Sequence, residues 1–187
     1  MSVIKSSIIV EGLDCTGKST IIKHIQNEIP RLKYYHFEFP QGNTDIEKYA
    51  FQWGQFDMMF KFIELTNGST QFIFDRAHIG EYIWGPKYRK MFPDYMPMIE
   101  DKYKNLPIVL LHVHAHHSKI YQRFEQREDE KTPGIMYIKE YLNKFRLFCE
   151  RSPFYTISLN TTDLETPDQI SAAVKDVVRQ IDEFENK

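Results

Sequence analysis

Cysteine is nearly absent. Cys15 and Cys149 stand alone among 187 residues, and neither belongs to a CxxC or Cys/His spacing. That removes a disulfide framework and a structural zinc site, and a reducing, cytoplasmic setting is the expectation. Charge of one sign is also missing: 24 Lys and Arg face 26 Asp and Glu, a formal net charge of −2. No global basic field draws the chain to nucleic acid or to an anionic membrane surface, so any polyanion must be held by a local cluster. No apolar run approaches membrane-spanning length, and Met1–Ser6 leads directly into the first apolar run, leaving no room for a signal peptide. A soluble protein with no membrane partner is expected. Linkers rich in Pro, Gly or Ser, internal repeats and low-complexity segments are lacking too, and the length suits one core, so a single domain over 1–187 is expected.

Against these absences, one stretch is dense in information. Gly12-Leu13-Asp14-Cys15-Thr16-Gly17-Lys18-Ser19 follows the apolar run Ile8-Ile9-Val10 and precedes an apolar-periodic segment from Thr20. It matches the phosphate-binding pattern G-x-x-x-x-G-K-[ST] in the strand–loop–helix context that the pattern requires. Glycines at 12 and 17 allow successive N–H groups to turn inward on phosphate oxygens, and the following helix adds its positive end. Lys18 supplies a mobile charge for the outer phosphates, and the Ser19 hydroxyl suits Mg²⁺. A plain glycine turn between strand and helix is the competing explanation, and three fixed positions with both flanking elements argue against it. Gly12, Asp14, Cys15, Thr16, Gly17, Lys18, Ser19 and Thr20 are therefore the candidate residues for binding a nucleotide polyphosphate.

Periodicity gives strands at Ser7–Glu11, Tyr34–Phe39, Gln71–Phe74, Ile108–Val113 and Phe154–Leu159. Helices are expected from Gly17 to about Asn27, from Asp45 to Leu65, from Ser118 as a cap through Arg127, from Ile135 to Glu150, and from a capping box at Thr166-Pro167-Asp168-Gln169 to about Phe184. Alternating strands and helices predict an α/β fold of three layers, a five-stranded parallel sheet flanked by helices, with the site beyond the carboxyl ends of the strands.

Asp75 and Arg76 close the third strand at that same edge. Asp75 is thus a candidate for Mg²⁺ or water positioning and Arg76 for a phosphate clamp, against the alternative of a surface ion pair. Arg123 and Arg127 are four apart on a predicted helix, followed by the polar turn-rich stretch Glu128–Gly134. They read as a small helical lid over 123–136 that excludes water and meets the developing charge, or else as a solvated face pairing Arg123 with Glu125 or Arg127 with Glu130. Phe51, Trp53, Phe56, Phe60 and Phe62 crowd one helix; most must be core, while Phe56 could stack on a base whose edge Gln52 reads. His112, His114 and His116 share a face if the strand continues, but no thiol or carboxylate completes a metal set, and no metal is assigned to them.

With these parts in chain order, the sequence resembles the thymidylate kinase and deoxynucleoside kinase group of P-loop kinases, over essentially its whole length. Glu11-Gly12-Leu13-Asp14 is like the loop entry of thymidylate kinases, whose aspartate contacts the acceptor sugar. Phe39-Pro40 resembles their acceptor-side motif, and Asp75-Arg76 their Asp-Arg pair. His78–Arg89 looks more like virus-encoded members than cellular ones. Three departures stand out. Cys15-Thr16 replaces the loop arginine of cellular eukaryotic enzymes, so the catalytic arginine would come from the lid. No Phe-x-x-x-Arg is clear around Met58–Lys61, and His112-Val113-His114-Ala115 replaces an Asp-x-Asp-Pro-like stretch.

The resemblance implies ATP- and Mg²⁺-dependent transfer to a deoxynucleoside monophosphate, with Lys18, Asp75, Arg76, Arg123 and Arg127 catalytic and Ser19 and Asp75 on Mg²⁺. Asp14, Glu38, Pro40, Gln52, Phe56 and Arg76 would face the acceptor. A nucleoside kinase is the alternative, since a sugar hydroxyl needs a base and Glu38 could supply one. A polynucleotide acceptor gains little support from the charge. A GTPase-like switch would want Asn-Lys-x-Asp, and Asn143-Lys144-Phe145-Arg146 lacks the aspartate. The resemblance also admits a homodimer through the aromatic helix.

Overall fold

The computed structural model describes residues 4–37, 42–90, 92–127 and 133–187. Five strands, β1 (Ser7–Glu11), β2 (Lys33–His36), β3 (Phe72–Asp75), β4 (Ile108–His114) and β5 (Tyr155–Asn160), form one parallel sheet in the order β2-β3-β1-β4-β5. The near-continuous apolar runs of β1 and β4 are what a sheet covered on both faces requires. Among the described residues seven α-helices accompany it: α1 (Lys18–Glu28), α2 (Asp45–Thr66), α3 (His78–Trp84), α4 (Met96–Tyr103), α5 (His117–Glu125), α6 (Ile135–Arg151) and α7 (Pro167–Glu185).

Alternation along the central strands sorts two cores. Ile8, Val10, Val109, Leu111 and Val113 point to α1 and α7, whose Ile21, Ile22, Ile25, Val174, Val177 and Ile181 complete that layer. Ile9 and Leu110 point the other way, to a larger layer built with Phe56, Phe60, Tyr103, Tyr141 and Phe145 from the remaining helices. These are the three layers expected, and among the described residues no helix is long and apolar enough to cross a membrane.

Several expectations change. α5 is capped by His116 and ends at Glu125; Ser118 lies inside it and shares a hydrogen bond with His116 Nδ1 (2.8 Å). β4 stops at His114, so His116 is not on its face. β2 ends at His36, and residues 38–41, with Glu38 and Pro40, lie outside the described residues. Of the five rings singled out on α2, Phe51, Trp53, Phe56, Phe60 and Phe62, only Phe56 and Phe60 are buried, while Trp53 and Phe62 are exposed, so most are not core. The Thr166 capping box forms as expected, with Thr166 Oγ1 accepting from Gln169 N (3.3 Å) and Gln169 Oε1 from Thr166 N (3.0 Å). Helices α3 and α4 were not legible. They are short, and Gly80, Gly85, Pro86, Pro93 and Pro97 break the period around a π-helical turn at Gly85–Arg89.

Candidate functional site

The stretch Gly12–Ser19 forms a tight loop between β1 and α1 whose backbone leaves the common regions three times, at Gly12 (φ 148°), Cys15 (φ 61°) and Gly17 (φ 93°). Such alternation builds a concavity of N–H groups. Gly12 is required twice over: a Cβ there would also lie 2.1 Å from the Val113 carbonyl oxygen of β4. Thr16 is buried, and its hydroxyl donates to Leu13 O (2.8 Å), bracing the loop from inside. Lys18 opens α1 and is buried, its Nζ donating to the carbonyls of Gly12 and Leu13 (2.8 Å each). Burial, and then the neighbouring Arg76, lower its pKa to about 8, against the pull of Asp14, Glu11 and Asp75. Ser19 and Thr20 are exposed beside it.

Asp75 stands in register with Val10 on one side and His36 on the other, at the shared carboxyl edge. Its carboxylate accepts from Tyr34 OH (3.2 Å) and lies 3.5 Å from His36 Nδ1. Arg76 then turns into the left-handed region (φ 67°), costly for a residue with a Cβ. Its N–H still donates to Val10 O (2.9 Å), while its guanidinium swings back to pair with Asp14. The chain is pinned just beyond this turn by Glu11, fully buried at the end of β1, whose Oε1 accepts from Ala77 N (2.8 Å) and Gly80 N (3.0 Å). Burial raises the Glu11 pKa, and Oε2 has no hydrogen-bond partner among the described residues.

Arg123 does not pair with Glu125. It donates to Cys15 O (3.2 Å), Thr161 Oγ1 (3.1 Å) and Thr161 O (2.8 Å), and the Thr161 hydroxyl donates in turn to Thr16 O (2.6 Å). Thr161 therefore ties the end of β5 to the loop. Sequence reading missed it, although its place just past a strand at the active edge was a usable signal.

Ten of the residues singled out from sequence line one cavity of about 440 Å³: Asp14, Cys15, Gly17, Lys18, Ser19, Thr20, Asp75, Arg76, Arg123 and Arg127. His36, Thr161, Leu164 and Ile170 join them. Gly12 and Thr16 shape the loop behind the wall. Gln52 and Phe56 are elsewhere, buried on α2; the Phe56 ring packs edge-on against Phe37 (5.3 Å) and His78 (6.4 Å) and is closed to a stacking base, which corrects that expectation. Glu38, Pro40 and the middle of the 123–136 segment, residues 128–132, fall outside the described residues. The hydroxyl of Ser19 and the carboxylate of Asp75 are hard oxygen donors in one cavity and fit Mg²⁺, which takes few protein ligands and completes its shell from phosphates and water. Among the described residues no cluster of three His, Cys, Asp or Glu could hold a metal by itself.

No protein-family model matches the chain, and no curated protein matches it. Solved structures do. YorR from Bacillus subtilis, in complex with phosphorylated GDP, superposes with a TM-score of 0.71 at 22% identity, covering 97% of this chain and 99% of that one. Deoxyadenosine kinase from M. mycoides, with dCMP and dCDP bound, gives 0.56 at 16% identity (95% and 99%). Thymidylate kinase from Ehrlichia chaffeensis gives 0.58 at 13% (94% and 98%). The fold is that of the P-loop kinases. The loop after β1 and the carboxyl end of β3 face one crevice in this chain, where Lys18, Asp75 and Arg76 come together.

Proposed function

We propose that the protein is a kinase that transfers the γ-phosphoryl group of ATP to a deoxynucleoside monophosphate of the thymidylate type, with Mg²⁺. The observation that carries this is the pair of cations, Lys18 and Arg76, on one cavity wall with Asp14 between them. One cation suits the donor polyphosphate; a second beside it suits an acceptor that brings its own phosphate. An oxygen of the acceptor phosphate attacks the γ-phosphorus as the bond to the β-bridging oxygen breaks, and ADP leaves. That oxygen is already anionic, so no base is needed.

Catalysis is then positioning and charge neutralisation. The loop N–H groups and Lys18 hold the donor, Arg76 orients the acceptor, and Arg123 and Arg127 balance charge on the equatorial oxygens. Ser19 and Asp75 would hold Mg²⁺, which would supply neutralisation of the phosphate charge. A second reading, a deoxynucleoside kinase, is favoured by Glu38, which follows β2 two residues after the cavity-lining His36.

The test is to incubate the protein with ATP, Mg²⁺ and a panel of deoxynucleosides, their monophosphates and DNA ends, and to record which gains phosphate. Transfer to a monophosphate, with Arg76→Ala raising its KM and Glu38→Ala leaving turnover within a few-fold, supports the proposal. Transfer to nucleosides that collapses with Glu38→Ala replaces it by the second reading, and no transfer at all overturns both.

A further inference from the structure

The outer part of the sheet breaks the rule that a face covered by a helix is apolar. On β5, Tyr155, Ile157 and Leu159 join the core beneath α1 and α7, which leaves Thr156 and Ser158 on the opposite face. The register sets Ser158 beside His112 of β4, and His112 stacks on His114 with ring centroids 5.2 Å apart. Four polar side chains thus sit side by side beneath α6. That helix answers with Lys139, Asn143, Arg146 and Glu150, spaced to share one face. Between helix and sheet is a cavity of about 450 Å³ that shares no lining residue with the phosphate cavity.

Its floor holds an unmet demand. His112 is only 4% exposed, it lines the cavity, and its Nε2 has no hydrogen-bond partner among the described residues. Orphaned buried nitrogens of this kind are rare and call for an explanation. Burial, followed by His114, Arg146 and Lys18, lowers its pKa to about 4, so the ring is neutral at pH 7 and one nitrogen carries a proton to donate. At the rim Glu150 is already engaged, both carboxylate oxygens accepting from Arg146 Nη1 (2.9 and 2.8 Å), and Asn143 Oδ1 accepts from Nη2 (2.8 Å). Those bonds hold the guanidinium in place at the opening.

We propose that this cavity is a second binding site, for a small organic molecule carrying a phosphate group. Arg146 and Lys139 face the anion from the helix, with the His112 imidazole and the Ser158 hydroxyl supplying donors from the sheet. Donors from several directions match the three terminal oxygens of a phosphate better than the two of a carboxylate. The volume exceeds what inorganic phosphate needs and falls in the range of small-molecule pockets, so the organic part rests on Leu142, Ala115 and the His114 ring.

The site is tested on the full chain carrying Lys18→Ala, which weakens competition from the phosphate loop, by following histidine imidazole resonances at constant pH. Inorganic phosphate, ribose 5-phosphate and citrate are the probes. A saturable shift at His112, tighter for ribose 5-phosphate than for phosphate and weakened about tenfold or more by Lys139→Met with Arg146→Met, supports the site. Should that double variant not fold, Ser158→Asp, an exposed position, sets a like charge in the cavity and must weaken binding as much. No saturable shift at His112, a response to citrate alone, or a shift that survives these variants overturns the proposal. Phosphoryl transfer is not the readout, so this proposal and the kinase reading fail independently.

Discussion

Glu11 is the buried carboxylate on which the geometry of Arg76 depends, and replacing it in two ways isolates that role. Glu11→Ala leaves the N–H groups of Ala77 and Gly80 buried and unpaired. At about 1–3 kcal/mol for each orphaned group, the loss is about 2–6 kcal/mol. That is a large share of the roughly 5–15 kcal/mol that holds an ordinary domain together. Glu11→Gln keeps an acceptor for both donors and removes a buried charge, so it loses much less. Urea unfolding followed by the fluorescence of Trp53 and Trp84 should give a midpoint far lower for Ala than for Gln. The pH dependence separates them again. The Glu11 pKa is raised above its ordinary 4.5, so the stability it contributes is complete below 4.5 and lost as pH climbs through the raised value; Glu11→Gln loses that slope. Gly80 offers a cross-check. A Cβ there would come 3.1 Å from Glu11 Oε2, so Gly80→Ala should destabilise by overpacking, about 1–3 kcal/mol, against a helix-propensity gain of up to about 1 kcal/mol. In the Glu11→Ala background only the gain remains, and the sign should reverse. Equal midpoints for Ala and Gln, or an unchanged Gly80→Ala effect in both backgrounds, would refute the anchoring role.

Three further outcomes follow from the cavity. With Lys18 titrating at about 8, kcat/KM for ATP should fall on the alkaline side from that pH as the ammonium loses its proton, and Arg76→Met, by removing a neighbouring positive charge, should move that limb upward; a limb that stays in place contradicts the coupling. Gly12→Ala, with its Cβ driven onto the Val113 carbonyl, should abolish nucleotide-dependent thermal stabilisation, and a variant that still shifts its Tm with ATP would show that the loop can be built another way. Thr161→Val removes the hydroxyl bonds to Thr16 O and Arg123 and should cost about 1 kcal/mol in stability and raise KM for ATP; a change in neither measurement would dismiss the bridge.

The sequence made the sheet and the loop after β1 legible because both are written locally. Apolar runs mark β1 and β4, and Gly12, Gly17 and Lys18 lie within one heptapeptide. The helical layer around α2 was harder. Phe56 and Phe60 are buried while Trp53 and Phe62 on the same helix are exposed, a division set by how α2 rotates against the sheet and not by composition. Helices α3 and α4 each span two turns or so, too short for a period to show through their glycines and prolines. Thr161, Glu11 and the left-handed turn at Arg76 emerge only once strands distant in the chain stand side by side.

That distance bears on how the protein matures. The phosphate loop is complete in the first 20 residues of the chain, yet its strand β1 is flanked by β3 and β4, its backbone rests against Val113, and its carbonyls at Cys15 and Thr16 are secured by Arg123 and Thr161. Contacts of such wide sequence separation form late and slowly. Under the proposed function, a nascent chain therefore carries the whole motif long before it can grip a phosphate, and nucleotide binding would report that the last strand has docked.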